Sequence, residues 1–332
     1  MKTDMVTSLI RAVGNSDMPR FRQIAKMIIS DEVAHGRKTT AKKLKKALSV
    51  GGNNLSIMPE KIKKFLHVLD PDKTLEDMVL LRGQVEVIQD LKKEYLQKEL
   101  LLSCGLSPRN KILLMGSPGN GKTSLATVIA SELNRPLYVV KYDQLIGSFL
   151  GETGSRLTQV FEFIKDRECV LFFDEFDIIA RSRNGKDDQS EMKRVVNSLL
   201  LHLDQVSNAL VVVASNLPES FDAAIWRRFD VLMQLNNPEK RQIKLLVRKL
   251  FDLSQLQYTD DDVFACVSAL RDSSFSDVEM FCKSVIKHKL LNNDLTLGDV
   301  ILWAEGNWDD RKELLSLFNT AGGDDGTQRI VF

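Results

Sequence analysis

Histidine is scarce here, and its few copies form no pattern. His35, His67, His202 and His288 are the only four, and none sits in an HExxH run, so a zincin protease site is excluded. Cysteine is as sparse. Cys104, Cys169, Cys266 and Cys282 make no CxxC pair and have no histidine at zinc-finger spacing. Thiols at that density fit a reducing compartment and act as small buried hydrophobes. No stretch approaches the ~20 apolar residues of a membrane span. The N-terminus opens Met-Lys-Thr-Asp and soon meets Arg11, Asp17 and Arg20, which leaves no apolar core for a signal peptide. These absences predict a cytoplasmic protein without a membrane span. Internal repeats and low-complexity tracts are missing too. Neither sign of charge dominates, with 46 basic and 45 acidic residues for a net +1. The balance hides an asymmetry. Residues 1–72 carry 14 Lys and Arg against 7 Asp and Glu, while 73–332 carry 32 against 38.

What is present divides the chain into four. Residues 4–13 and 17–34 have helical spacing, with Phe21, Ile24, Ala25, Ile28 and Ile29 on one stripe of the second. A Lys-rich helix over 38–48 and a short one around 59–68 complete a helical domain at 1–72, ending near Asp70-Pro71-Asp72. Five apolar runs then read as buried strands: Lys111–Met115, Tyr138–Tyr142, Cys169–Phe173, Leu210–Ala214 and Val231–Leu235. Helical stretches at 84–102, 122–133, 153–166 and 189–205 alternate with them, the pattern of parallel βαβ units. Residues 73–236 are therefore an α/β domain with a parallel five-stranded sheet. Residues 237–305 read as all-helical, with segments 238–252, 260–271, 276–291 and 296–304. A tail at 306–332 holds Gly322-Gly323-Asp324-Asp325-Gly326.

The strongest chemical signal is Gly116-Ser117-Pro118-Gly119-Asn120-Gly121-Lys122-Thr123, a match to G-x-x-x-x-G-K-[ST]. An apolar strand precedes it and a helix follows. Such a loop turns its N–H groups toward phosphate oxygens at a helix N-terminus. Lys122 reaches the β- and γ-phosphates, the Thr123 hydroxyl ligates Mg²⁺, and Ser124 lies beside them. ATP and Mg²⁺ are the implied cofactors. A second apolar strand delivers Asp174 and Glu175 at its C-terminal end, where ligands sit in such sheets. Asp174 belongs to the Mg²⁺ shell, and Glu175 polarises the water that attacks the γ-phosphate. A third strand ends on Ser215-Asn216. Asn216 either orients that water or simply makes a turn. Arg227-Arg228 lies between Trp226 and Phe229. Two readings stay open for the pair: a surface salt bridge, or arginine fingers offered to a neighbour's nucleotide.

These features, in this order, resemble the AAA family of ATPases over roughly residues 73–305. Leu75-Glu76-Asp77-Met78-Val79 is similar to the family's adenine-facing segment, which implies nucleotide contacts from Asp77 and Met78. Gly105-Leu106-Ser107-Pro108 matches the lead-in to the phosphate loop. Asp222 and Arg227-Arg228-Phe229-Asp230 resemble the second homology region, in a short form without the usual Pro-Gly. Gly147-Ser148-Phe149-Leu150-Gly151-Glu152 resembles the central pore loop. The resemblance implies a P-loop NTPase domain of three α/β/α layers, a helical lid, and a ring, usually a hexamer. Phe149 and Leu150 would then grip a polypeptide substrate in the pore; the alternative places Phe149 in the core. Ser274-Phe275-Ser276-Asp277-Val278-Glu279 departs from the family's Gly-Phe-Ser-Gly-Ala-Asp, and no lid arginine follows.

Three functions compete on this reading. The first is an ATP-driven protein remodeller with its substrate or adaptor docked through residues 1–72. The second is a nucleotide-switched ring that regulates a partner enzyme. The third is a nucleic-acid motor drawing on the basic run Arg37–Lys46. No aromatic residue interleaves with that run, which weakens the third. The polar stretch 180–188 carries no assigned site.

Overall fold

Strands apolar at every position must bury both faces, and the runs Leu137–Val140, Val170–Phe173 and Leu210–Ala214 do. In the computed structural model, the structure describes residues 3–14, 18–34, 58–146, 152–177, 198–217, 221 and 223–321. Six strands form one sheet: β1 Leu66–Leu69, β2 Lys111–Met115, β3 Leu137–Val140, β4 Val170–Phe173, β5 Leu210–Ser215 and β6 Val231–Gln234, in the order β1-β3-β4-β5-β2-β6. All neighbours from β3 to β6 run parallel. Alternation sorts their side chains between two cores. Leu113, Leu171, Phe173, Val211 and Val213 face one side, packed with Leu157, Val160 and Phe161 of the Glu152–Ile164 helix and Leu199 and Leu203 of the 198–205 helix. Ile112, Leu114, Val170, Phe172, Val212 and Ala214 face the other, packed with Ile88 and Leu91 of the Arg82–Leu96 helix and Leu125 and Ile129 of the Lys122–Glu132 helix. Helices on both faces of a largely parallel sheet give the three-layer α/β arrangement.

The sheet corrects the five-stranded, all-parallel expectation. Apolar spacing predicts a helix over 59–68. The chain instead makes one helical turn at Glu60–Lys63, then β1, which pairs antiparallel with β3 from Leu66↔Val140 to Leu69↔Leu137. Leu66 is 1% exposed and Ile62 joins the same core. The sheet therefore begins before residue 72, and a boundary there would cut away an edge strand. The helical stretch at 84–102 is broken into Arg82–Leu96 and Lys98–Ser103, and β3 stops at Val140, with Tyr142–Leu145 turning helical.

The second compact unit comprises Asn236–Phe332 together with Pro118–Asn120. Its described helices are Lys240–Leu253, Asp260–Ala269, Phe275–Leu291 and Leu297–Ala321. The last runs through residues 306–321, which the glycine-rich tail pattern would have left irregular. Capping explains the sharp starts. Thr259 and Ser274 each accept a hydrogen bond from the backbone N–H three residues on, and Asp262 and Asp277 reciprocate. Cys169, Cys266 and Cys282 are buried thiols and Cys104 is exposed. Among the described residues, no helix is long and apolar enough to cross a membrane. Phe149, Leu150, Asp222, the basic run Arg37–Lys46, the stretch 180–188 and the tail beyond 321 lie outside the described residues.

Candidate nucleotide site

Parallel register brings three strand ends together. Met115 stands opposite Ser215, and Phe173 opposite Val213. The loop after β2, the carboxylates after β4 and the amide after β5 thus emerge along one edge, which is where open α/β sheets bind ligands.

The loop is held in one shape by close packing. Gly116 has φ 143°, and a Cβ built on it would lie 2.0 Å from the Leu235 carbonyl oxygen. Gly121 has φ 83° and caps the Lys122–Glu132 helix; a Cβ there would sit 3.1 Å from Met78 Cε. Only glycine fits both demands at Gly116. Met78 is thereby placed against the phosphate loop. The Asp77 carboxylate accepts from the Thr74 N–H at 2.8 Å and the Thr74 hydroxyl at 3.0 Å, which caps a 3₁₀ turn at Leu75–Asp77.

Within the helical unit the loop's crest is braced. The Gly119 carbonyl accepts from the Ser276 N–H at 3.0 Å. Asn120 is 2% exposed; its amide donates to Asn237 at 2.8 Å and its oxygen accepts from the Phe275 N–H at 3.4 Å. The Asn120 side chain is engaged in this bracing, and its backbone N–H is the group left to the expected nucleotide contact. Gly119 is crowded by Ser274 and Ser276, whose atoms would lie 2.6 to 3.1 Å from an added Cβ.

Lys122 is 6% exposed. Its ammonium donates to the Gly116 carbonyl at 2.6 Å, the Ser117 carbonyl at 3.0 Å and Asn216 Oδ1 at 2.7 Å. Desolvation lowers its pKa below the ordinary lysine value, and the nearby Asp174, Asp177 and Glu175 charges oppose that. The Thr123 hydroxyl donates to Asp174 Oδ2 at 2.6 Å. Glu175 is exposed and holds φ 50°, a left-handed backbone that costs a non-glycine residue energy and is concentrated at functional sites. Its N–H donates to Asp174 Oδ1 at 3.0 Å, and the following Phe176 N–H to the Ala214 carbonyl at 2.8 Å.

The structure adds a residue that strand patterning misses. Asp177 is 6% exposed and accepts from the Asn216 N–H at 3.0 Å and more weakly from the Ser215 hydroxyl at 3.4 Å. It fixes where Asn216 stands. Its only sequence signal is a third carboxylate in the run Asp174-Glu175-Phe176-Asp177. The Tyr142 hydroxyl is buried without a hydrogen-bond partner among the described residues, and burial plus the same three carboxylates push its pKa far up.

The arginine pair is split. Arg228 makes an ion pair with Asp204 at 2.6 Å, both side chains being partly exposed. Arg227 is exposed and has no ion pair among the described residues. Asp230 is structural: its carboxylate accepts from the Asn110 N–H at 2.9 Å and the Lys111 N–H at 3.0 Å and secures the start of β2.

The arrangement can therefore seat a polyphosphate on backbone N–H groups and Lys122, gather a cation between Thr123 and Asp174, and face it with Glu175 and Asn216. The family profile of AAA, "ATPase family associated with various cellular activities", matches residues 112–237. An "Uncharacterized AAA family ATPase y4kL" of Sinorhizobium fredii is 35% identical over 299 residues, covering 87% of this chain and 89% of that protein. A peroxisomal ATPase, pex6, of Schizosaccharomyces pombe is 36% identical over 198 residues, 56% of this chain but 21% of its own length. A putative 26S proteasome regulatory subunit homologue of Methanothermobacter thermautotrophicus is 33% identical over 192 residues, 57% of this chain and 51% of that one. The crystal structure of the FIGL-1 AAA domain in complex with ADP superposes with a TM-score of 0.59 at 18% identity, covering 81% of this chain and 98% of that one. The chain belongs to the AAA family of ATPases.

Proposed function

We propose that the chain is a ring-forming ATPase that remodels protein substrates, completing each active site with an arginine from the next subunit. One observation carries the reading: Arg227, beside the ion-paired Arg228, stands exposed with no ion pair among the described residues. An arginine lent in trans stabilises the charge that builds on the transferring phosphoryl group. The relatives named peroxisomal ATPase and proteasome regulatory subunit homologue support action on proteins.

Mg²⁺ fits the residues present. Thr123 Oγ1 and Asp174 Oδ2 converge at 2.6 Å, and two hard oxygens plus phosphate oxygens suit an ion that keeps several waters. Among the described residues no cluster of three or more His, Cys, Asp or Glu could hold a metal ion, and Mg²⁺ would be held by Thr123 and Asp174 together with phosphate oxygens. Bound there, it neutralises charge on the β- and γ-phosphates. Lys122 leaves its carbonyl acceptors for the phosphates. Glu175 accepts the proton of the attacking water, and Asn216 aims that water. In the assembled ring Phe149 and Leu150 grip the translocating chain.

The test is specific activity against protein concentration. Turnover per subunit should fall on dilution, and Arg227→Ala should abolish it while leaving ATP binding intact. Full activity in a dilute single subunit refutes assembly of the site across subunits. Unchanged remodelling by Phe149→Ala refutes threading through a pore.

A further inference from the structure

We propose that Lys73 is a nucleotide-binding residue whose ammonium takes the α-phosphate at the Ser124 end of the loop. Lys73 Nζ lies 2.6 Å from the Ser124 hydroxyl oxygen, across 51 positions of sequence. Ser124 is the third residue of the Lys122–Glu132 helix. That helix end carries the positive pole of the macrodipole, already shared with Lys122, and its first turn has no acidic residue. A lysine drawn there meets a neutral hydroxyl at the positive end of the helix, where the carboxylate of Asp174 is taken up by Thr123. Exposed lysines ordinarily extend into water or toward a carboxylate. The placement becomes favourable once an anion occupies the loop, because the same pole then attracts the phosphates.

The position along the nucleotide follows from the neighbours. In a loop of this type the lysine serves the β- and γ-phosphates and the next hydroxyl serves the cation. Lys122 and Thr123 fill those roles, which leaves Ser124 and Lys73 at the α end. A cation there touches a group that ATP and ADP share, so it retains product as firmly as substrate and does not take part in cleavage. The inference rests on the nucleotide site described above.

The experiment is calorimetric titration of the full chain with ADP and with a non-hydrolysable ATP analogue. K73M should weaken both ligands alike, by about fivefold, the scale of an exposed charge-assisted contact. K73R should stay within about twofold of wild type because the charge is kept. Unchanged ADP affinity in K73M, a loss confined to the ATP analogue, or a K73R as weak as K73M each overturns the assignment. Wild-type chain that fails to bind ADP would fault the nucleotide site as a whole, whatever Lys73 does.

Discussion

The Lys122 ammonium is hydrogen-bonded to Asn216 Oδ1 at 2.7 Å, so the phosphate-loop lysine and the amide at the end of β5 hold each other. Binding must exchange this contact for phosphate oxygens, which frees the Asn216 amide to face the attacking water. Asn216→Ala removes one of three acceptors for Lys122 but both water-orienting groups of the amide. ATP affinity should then change less than about threefold while kcat falls roughly 100-fold, as expected for loss of a group acting mainly in the transition state. Single-turnover hydrolysis beside equilibrium binding separates the two. A loss of affinity at constant kcat would make Asn216 a ligand only.

Glu175→Gln keeps the side-chain size and the left-handed backbone of φ 50° while removing the base. Hydrolysis should drop by about 10²–10⁴ with ATP still bound. Normal turnover by this variant would assign the base elsewhere.

Asp177 acts one step back. Its carboxylate receives the Asn216 N–H at 3.0 Å from a position 6% exposed. Asp177→Ala orphans that N–H, which costs about 1–3 kcal/mol, and lets Asn216 drift. Denaturant melts should show the destabilisation, and kcat should fall further than KM rises. Asp177→Asn retains an acceptor and should lose less of both. Equal behaviour of the two variants would argue against a positioning role.

Residues 58–72 give a test of the sheet's true edge. Removing 1–57 should leave the sheet domain folded, whereas removing 1–72 strips β1 and exposes the β3 backbone to association. Leu66→Ala alone should cost about 2–5 kcal/mol, the range for a core leucine. Sedimentation and thermal melts of the two truncations decide it. If removing 1–72 is harmless, β1 contributes nothing to stability.

That strand shows where legibility ended. The parallel strands were readable because burial on both faces makes them continuous apolar runs such as Val211–Ala214. β1 is Leu-His-Val-Leu at an edge, with His67 and Val68 exposed, and four residues are too few to show a period. The phosphate loop and Asp174-Glu175 were readable because their chemistry is compact in sequence. Asp177 and Lys73 were not, since each gains its role from a partner 39 or 51 residues away. The arginine pair looks symmetric as text, and only Asp204 separates Arg228 from Arg227.

Lys122 also predicts a pH dependence. Burial lowers its pKa in the nucleotide-free chain below the ordinary 10.5. Between the lowered pKa and 10.5 the unfolded chain binds more protons than the native one, so this residue makes stability rise with pH across that window and fall as pH drops through the lowered value. The bound phosphates reverse the balance. Their negative charge favours the ammonium and raises the pKa again, so the bound state holds more protons than the free state. ADP affinity should therefore weaken as pH climbs into the window below 10.5, with proton uptake on binding that is visible as a dependence of the calorimetric heat on the buffer's ionisation enthalpy. Lys122→Met should lack the alkaline rise in nucleotide-free stability seen in the wild type. An ADP affinity that is flat from neutral pH to 10.5 would mean that the ammonium feels no burial cost, and the contact with Asn216 would then be no constraint on the empty loop.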